Sequence, residues 1–190
     1  MRSRSPMVVV GLALTMALVA AACGSSPPKT GQSGQYSTVT TSRVPLPAGR
    51  YPSEISKEVC HAEAQHDIFE ALGVKPVRIS TPTWVAHLYS CRYEYPNGSF
   101  TLSVKELSSW AQTLDYFHGL GRQFGVSRSL GNLGQGAFSE TDGSVVVRKD
   151  WKVLTVDITG LPDQFGVPPT RSSDIAVTVA DVILGCWAGD

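Results

Sequence analysis

An α+β domain, with an antiparallel sheet of hairpins and meanders covered by helices, is the fold that the 190-residue sequence predicts. Three patterns carry this expectation. Apolar residues recur at helical spacing over 57–72; apolar and polar residues alternate over 86–95 and 100–105 around Pro96-Asn97-Gly98; valine-rich runs around Asp142-Gly143 lead into a closing segment, 174–187, with helical recurrence. The composition agrees, because 42% hydrophobic and 17% charged residues describe a chain that folds by burial, which excludes disorder of the whole.

In the first helix, Cys60, Ala64, Ile68, Ala71 and Leu72 form one stripe, with Ser56 as N-cap, Glu58 in the first turn and Gly73 as terminator. The strand over 86–95 turns His87, Tyr89, Cys91, Tyr93 and Tyr95 to one face and Ser90, Arg92 and Glu94 to the other. Phe100, Leu102 and Val104 alternate with Thr101, Ser103 and Lys105, so the two runs pair as a hairpin around Asn97-Gly98. Ser109-Trp110-Ala111-Gln112 has capping-box spacing and opens a second helix through Leu114 and Phe117, which the glycines at 119 and 121 are expected to stop. Strands over 124–130, 136–140, 145–147 and 153–158 then make a meander, with Asp142-Gly143 as one hairpin turn. Over 174–187, Ile175, Val177 and Val179 alternate like a strand, whereas Ala176, Val179, Ala180, Ile183 and Trp187 recur like a helix. Length and a Ser172-Ser173 cap favour the helix. The order of helix, strands, helix, strands, helix places the helices over one face of the sheet and suggests a pseudo-duplicated helix-plus-hairpin unit.

The chain before this domain has a different character. Arg2 and Arg4 precede an apolar run from Met7 to Ala22, shorter than the roughly 20 residues a spanning helix needs and followed by no stop-transfer charges, so residues 1–22 read as a signal peptide. Its end, Ala20-Ala21-Ala22-Cys23, resembles the lipobox of bacterial lipoproteins, with Ala20 where leucine is usual. That resemblance implies acylation of Cys23 and cleavage before it; ordinary cleavage after the alanines, releasing a secreted protein, is the competing reading. Residues 23–52 are Gly, Ser, Pro, Thr and Gln with few large apolar side chains, a flexible tether spanning on the order of 30 Å as a random coil. The Ser37 to Ser42 cluster is either a site for O-linked sugars or plain solvated linker. Residues 53–190 are left as a single α+β domain. Loss of the leader removes Arg2 and Arg4, leaving 14 basic against 16 acidic residues and a formal charge of −2, so no basic field exists to hold nucleic acid.

With Cys23 assigned to lipid, Cys60, Cys91 and Cys186 remain, in a compartment that permits disulfides. Three pairings are open to them. Packing of the first helix on the tyrosine-lined strand face would bring Cys60 to Cys91 and close a loop worth on the order of 3 kcal/mol, leaving Cys186 as a buried thiol beside Trp187.

No catalytic constellation stands out, and no catalytic, cofactor or metal residue is assigned. The cluster Cys60, His61, Glu63, His66 and Asp67 contains zinc-ligand types, but His61 and His66 are five apart and diverge by more than about a hundred degrees around a helix. Gly131, Gly134 and Gly136 precede a strand where a phosphate-binding loop would need a helix, and so read as turn glycines. No nucleophile elbow surrounds any serine. Tyr89, Tyr93, Tyr95, Trp110 and Phe117 either line an apolar ligand cavity or fill the core.

The Cys23 box, the Cys60 helix ending in Ala71-Leu72-Gly73, the Cys91-Arg92-Tyr93 strand, Leu133-Gly134-Gln135-Gly136-Ala137 before a meander, and the closing helix together resemble a large family of actinobacterial, mycobacterial-type cell-envelope lipoproteins of unknown function. The resemblance covers about residues 53–188 and implies a disulfide between the first helix and the following strand, with no catalytic residues. The expectation is therefore a lipoprotein held at the extracytoplasmic face of the cell membrane by lipid on Cys23. There it serves as a non-enzymatic binding module for a small apolar ligand or an envelope protein. The rival is an envelope hydrolase or metal-dependent enzyme whose site assembles from separated residues.

Overall fold

The helical stripe over 57–72 folds as two helices rather than one. The computed structural model describes residues 45–187 and places α1 at Glu54–Glu58 and α2 at Ala62–Leu72; Cys23, the leader and most of the tether lie outside the described residues. The strands β1 (Arg78–Ile79), β2 (Thr83–Val85), β3 (Leu88–Tyr95) and β4 (Gly98–Glu106) follow, then α3 (Trp110–Phe124). The second run holds β5 (Arg128–Leu130), β6 (Gly136–Ser139), β7 (Val145–Lys149) and β8 (Lys152–Asp157), then the short ribbon β9 (Gln164–Phe165) and β10 (Thr170–Arg171), and finally α4 (Ser172–Cys186). The architecture is α+β, with an eight-stranded sheet in the order β1-β3-β4-β8-β7-β6-β5 and β2 paired beside β3; every pairing is antiparallel.

The break between α1 and α2 is held by the sheet. At the break the Val59 carbonyl accepts the Tyr93 hydroxyl at 2.8 Å, the Cys60 carbonyl accepts the Gln65 side chain at 2.8 Å, and Cys60 is bonded to Cys91 with a Cα–Cα distance of 6.0 Å. Apolar spacing of four residues, Cys60 to Ala64 to Ile68 to Leu72, runs straight through this break, which is why periodicity alone reads one helix. The N-cap of α1 is Ser53, not Ser56: Ser53 Oγ accepts the Ser56 N–H at 3.3 Å. Ser56 is buried and, with Ser53, hydrogen-bonds the buried Glu106 carboxylate, which receives the Ser53 N–H (2.8 Å), the Ser53 hydroxyl (2.8 Å) and the Ser56 hydroxyl (2.5 Å). Gly73 ends α2 as expected, at φ 65°; a Cβ there would sit 2.4 Å from the Val167 carbonyl oxygen.

The hairpin around Asn97-Gly98 is present, with Tyr95 opposite Gly98 and Pro96-Asn97 as its loop. The expected strand start at 86 is displaced. Ala86 and His87 lie at φ 50° and 60° as the two-residue turn of a hairpin between β2 and β3, held by the Glu106 N–H to the His87 carbonyl (2.9 Å) and by Lys105 Nζ to the Ala86 carbonyl. Left-handed turn positions favour Gly and Asn, so Ala-His carries no turn signal. Ser109 caps α3 through the Gln112 N–H, and Gln112 returns its side-chain oxygen to the Ser108 N–H. The helix does not stop at Gly119 or Gly121 but runs to Phe124 and is capped by Gly125, so the strand expected over 124–130 shortens to Arg128–Leu130. The helical reading of 174–187 holds, with Arg171 as N-cap and Ser172 and Ser173 already inside.

Helices lie on both faces of the sheet, which corrects the one-face expectation. Val145, Val147, Leu154 and Val156 join Tyr93, Phe100, Leu102 and the apolar sides of α2 and α4 in the main core. Val146, Val153 and Phe138 point the other way and pack with Leu107, Tyr116, Phe117 and Leu120 of the α3 side. A run such as Val145-Val146-Val147, fully buried at all three positions, is what a strand covered twice looks like. The two halves meet at the β4–β8 pair, with β1 and β2 both beside β3 on one side and β7, β6 and β5 in line on the other, and α2 and α3 sit on opposite faces.

At the end of α4, Trp187 Nε1 donates to the Ile55 carbonyl (3.1 Å) and its own carbonyl accepts Lys149 Nζ (2.9 Å), joining α1, α4 and the sheet. Cys186, expected to be buried, is half-buried with its thiol 3.9 Å from the Asp67 carboxylate.

The Cys60–Cys91 bond closes a separation of 31 residues, for which the chain-entropy relation gives about 3–4 kcal/mol. The double variant Cys60→Ala, Cys91→Ala is expected to lower the urea midpoint by a corresponding amount relative to the oxidised protein. An unchanged midpoint would show that the crosslink adds nothing to the hydrogen bonds beside it.

Candidate functional site

A polar concavity lies where β6 ends and α4 begins. Its walls are Ser127 and Arg128 at the start of β5, Ser139 to Gly143 after β6, Asp163 and Gln164, and Arg171 to Asp174 entering α4; the open volume is about 560 Å³. Backbone bonds fix this rim: Glu140 N–H to Ser144 O (2.8 Å), Gly143 N–H to Glu140 O (3.1 Å), and Ser172 N–H to Asp163 O (3.0 Å). Side chains add to it, with Ser127 Oγ donating to Glu140 O (2.9 Å), Thr141 Oγ1 to Phe124 O (2.8 Å), and Asp142 Oδ1 accepting the Ser144 N–H (2.8 Å).

Glu140 is the chemically distinctive residue of the cleft. It is only 5% exposed, and among the described residues no hydrogen bond or ion pair reaches its carboxyl. Burial, then the charges of Asp142 and Asp157, push its pKa up to about 7. Beside it Ser139 is 4% exposed with a hydroxyl that has no partner. A buried hydroxyl without a partner is uncommon, because it costs the solvation it gave up. Arg171 pairs with Asp174 at 3.2 Å, so its charge is already matched.

The residues singled out by sequence lie elsewhere. Cys60 is in the disulfide, and His66 lines a separate groove of about 730 Å³ with Phe69, Lys75 and Arg78. The helix break brings His61 to Glu58, Nδ1 to Oε2 at 4.0 Å, and the ligand atoms of Glu58, His61 and Glu63 all lie within 4.8 Å of one another on the outer corner between α1 and α2. His61 and Glu63 are exposed there, and no wall encloses them. His87 stacks edge-on to Trp84 and His118 sits beside Phe117. Gly131 and Gly134 lie in the connection between β5 and β6, and Gly136 opens β6, so a strand follows all three.

The five aromatics do not share a cavity. Tyr93 and Tyr95 stack with Phe100 in the main core, at 4.9 and 5.8 Å between centroids, whereas Phe117 packs on Phe138 across the sheet and Trp110 covers the Arg148 guanidinium at 4.2 Å. Their alternation in sequence was a core signal. Glu140 had no sequence signal of its own, since a carboxylate at the end of a strand is usually solvated.

No helix among the described residues is long and apolar enough to cross a membrane. Comparison with family models, with curated proteins and with solved structures finds no match. Fold and site together define the chain as a disulfide-linked α+β domain with helices on both faces of its sheet and an acidic cleft at one end.

The carboxyl of Glu140 has a raised pKa in the fold, so protonated Glu140 is stabilised relative to the unfolded chain. That stability is fully present below the ordinary carboxylate range and is lost as pH rises through about 7. Glu140→Gln is accordingly expected to match the wild-type Tm near pH 4 to within its own fixed offset and to gain on it progressively toward pH 8. A Tm difference that stays constant with pH would remove Glu140 from this role.

Proposed function

We propose that this protein is a lipoprotein of the actinobacterial envelope type, anchored through Cys23 at the extracytoplasmic face of the cell membrane and acting there as a non-enzymatic binding module. The observation that carries this reading is the Cys60–Cys91 disulfide between two buried cysteines, because such bonds persist in oxidising compartments and are rare in a reducing cytosol. It agrees with a leader that ends in Ala20-Ala21-Ala22-Cys23 and with a Gly/Ser/Pro-rich stretch between Cys23 and the domain. Two acyl chains, at about 0.8 kcal/mol per buried methylene, hold a protein where one chain binds reversibly. The cleft over Glu140 supplies a concave, polar surface of the size that small ligands occupy.

A hydrolytic reading has one observation in its favour: Glu140, Asp142, Asp163 and Asp174 come from separated segments to one cleft, and Glu140 titrates near neutrality, as a general acid would. Binding is preferred because, among the described residues, no side-chain nucleophile or base hydrogen-bonds the Glu140 carboxyl.

Labelled palmitate fed to producing cells is expected to enter the wild-type protein and to disappear in Cys23→Ala, with the variant moving from the membrane fraction to the culture fluid. Label and membrane retention that both survive Cys23→Ala would overturn the anchor.

A further inference from the structure

We propose that the cleft over Glu140 is a binding site for small organic cations bearing an ammonium group, an inference that rests on the reading of this domain as a binding module. Glu140 lines a cleft of about 560 Å³, is 95% removed from solvent, and among the described residues no hydrogen bond or ion pair reaches its carboxyl. A carboxylate in such a place must either take up a proton or meet a cation.

The surroundings favour the cation. The charged groups around Glu140 are Asp142 and Asp157, with Asp163 and Asp174 on the cleft wall, against Arg128 and Arg171. Arg171 is spent on Asp174, so Glu140, Asp142 and Asp163 face the single remaining guanidinium of Arg128 on that wall. Asp142 gives one oxygen to the Ser144 N–H and keeps lone pairs to spare. A wall rich in carboxylates suits a group with three N–H donors and no acceptor, which is an ammonium.

A bare divalent ion suits it less well. Calcium needs six to eight oxygens at about 2.3–2.6 Å. Among the described residues, the trio of acidic or histidine side chains whose ligand atoms converge within 4.8 Å is Glu58, His61 and Glu63, and none of these lines the cleft. The carboxylates over Glu140 are spread along a wall, which fits an extended organic cation. Occupation of the site by a cation draws Glu140 into its ionised form, so the ligand displaces a proton whenever it binds near neutrality.

The test is isothermal titration of the mature lipidated protein in detergent with 1,4-diaminobutane, beside 1,4-butanediol and calcium chloride as controls. Saturable diamine binding is expected, roughly tenfold weaker at pH 6 than at pH 8. Proton release should be visible as a heat that scales with buffer ionisation enthalpy. Glu140→Gln is expected to weaken binding at least tenfold with a retained thermal transition, and Asp163→Asn, which leaves Glu140 in place, by a few-fold. Equal binding of the diol, tighter binding of calcium, or diamine binding indifferent to both variants would overturn the proposal. No diamine binding at all would also overturn it, and native mass spectrometry of the protein extracted from its own membrane then judges the binding-module reading separately, by whether another molecule is retained.

Discussion

The tie between the α1–α2 corner and strand β3 is the constraint on which the rest of the main core depends. Two short helices of 5 and 11 residues have little stability in isolation, since helix nucleation is costly and helices this short are marginal in water. Here they are fixed from three directions. The Cys60–Cys91 bond and the Tyr93 hydroxyl hold the break, the Glu106 carboxylate gathers Ser53 and Ser56 at the head of α1, and the Trp187 indole reaches Ile55 from the far helix. With the corner in place, α2 can lie against α4, and Ile68 and Leu72 close the apolar layer over β3 and β4.

The sheet divides its labour by face. One face is dry throughout, from Tyr93 to Val147. The other is covered by α3 over β6 to β8, where Phe138, Val146 and Val153 are buried, while across β3 and β4 it carries Ser90, Arg92, Glu94, Thr101 and Ser103, none of them fully buried. The cleft arises at the boundary of these regions, past the last residues of β6. Strand pairing stops there, and the chain turns through Asp142-Gly143 with backbone hydrogen bonds continuing between Glu140 and Ser144. Glu140 sits where the fold can fix its backbone on both sides yet provides nothing for its carboxyl.

Much of this architecture was legible because local patterns and tertiary burial agree. The Tyr93-Phe100-Leu102-Val104 alternation, the Ser109–Gln112 box and the helical recurrence at Val179, Ala180 and Ile183 each correspond to an element in the expected place. The misreadings share one cause, which is that the decisive contact is remote in sequence. The helix break at Val59 to His61 answers to Tyr93 and Cys91, more than thirty residues away. Ala86-His87 adopts a left-handed turn because β4 donates to both of its carbonyls, through Lys105 Nζ and the Glu106 N–H, not because either residue prefers it. Gly119 and Gly121 stay helical and the cap is Gly125; a Cβ at Gly121 would sit 3.1 Å from Val126 Cγ2 and 3.6 Å from Phe138 Cζ, so a larger residue there needs its neighbours to shift. For the site, Glu140 is indistinguishable in sequence from any polar strand end; its distinction is the absence of a partner, which only three-dimensional neighbours reveal.

The margins of the eight-stranded sheet are β1 with β2 on one side and β5 on the other, and these strands are only two or three residues long. Bare strand margins are templates for recruiting another chain, and the number of hydrogen bonds such recruitment can form scales with their length. Margins this brief give a colliding neighbour almost no backbone to grip.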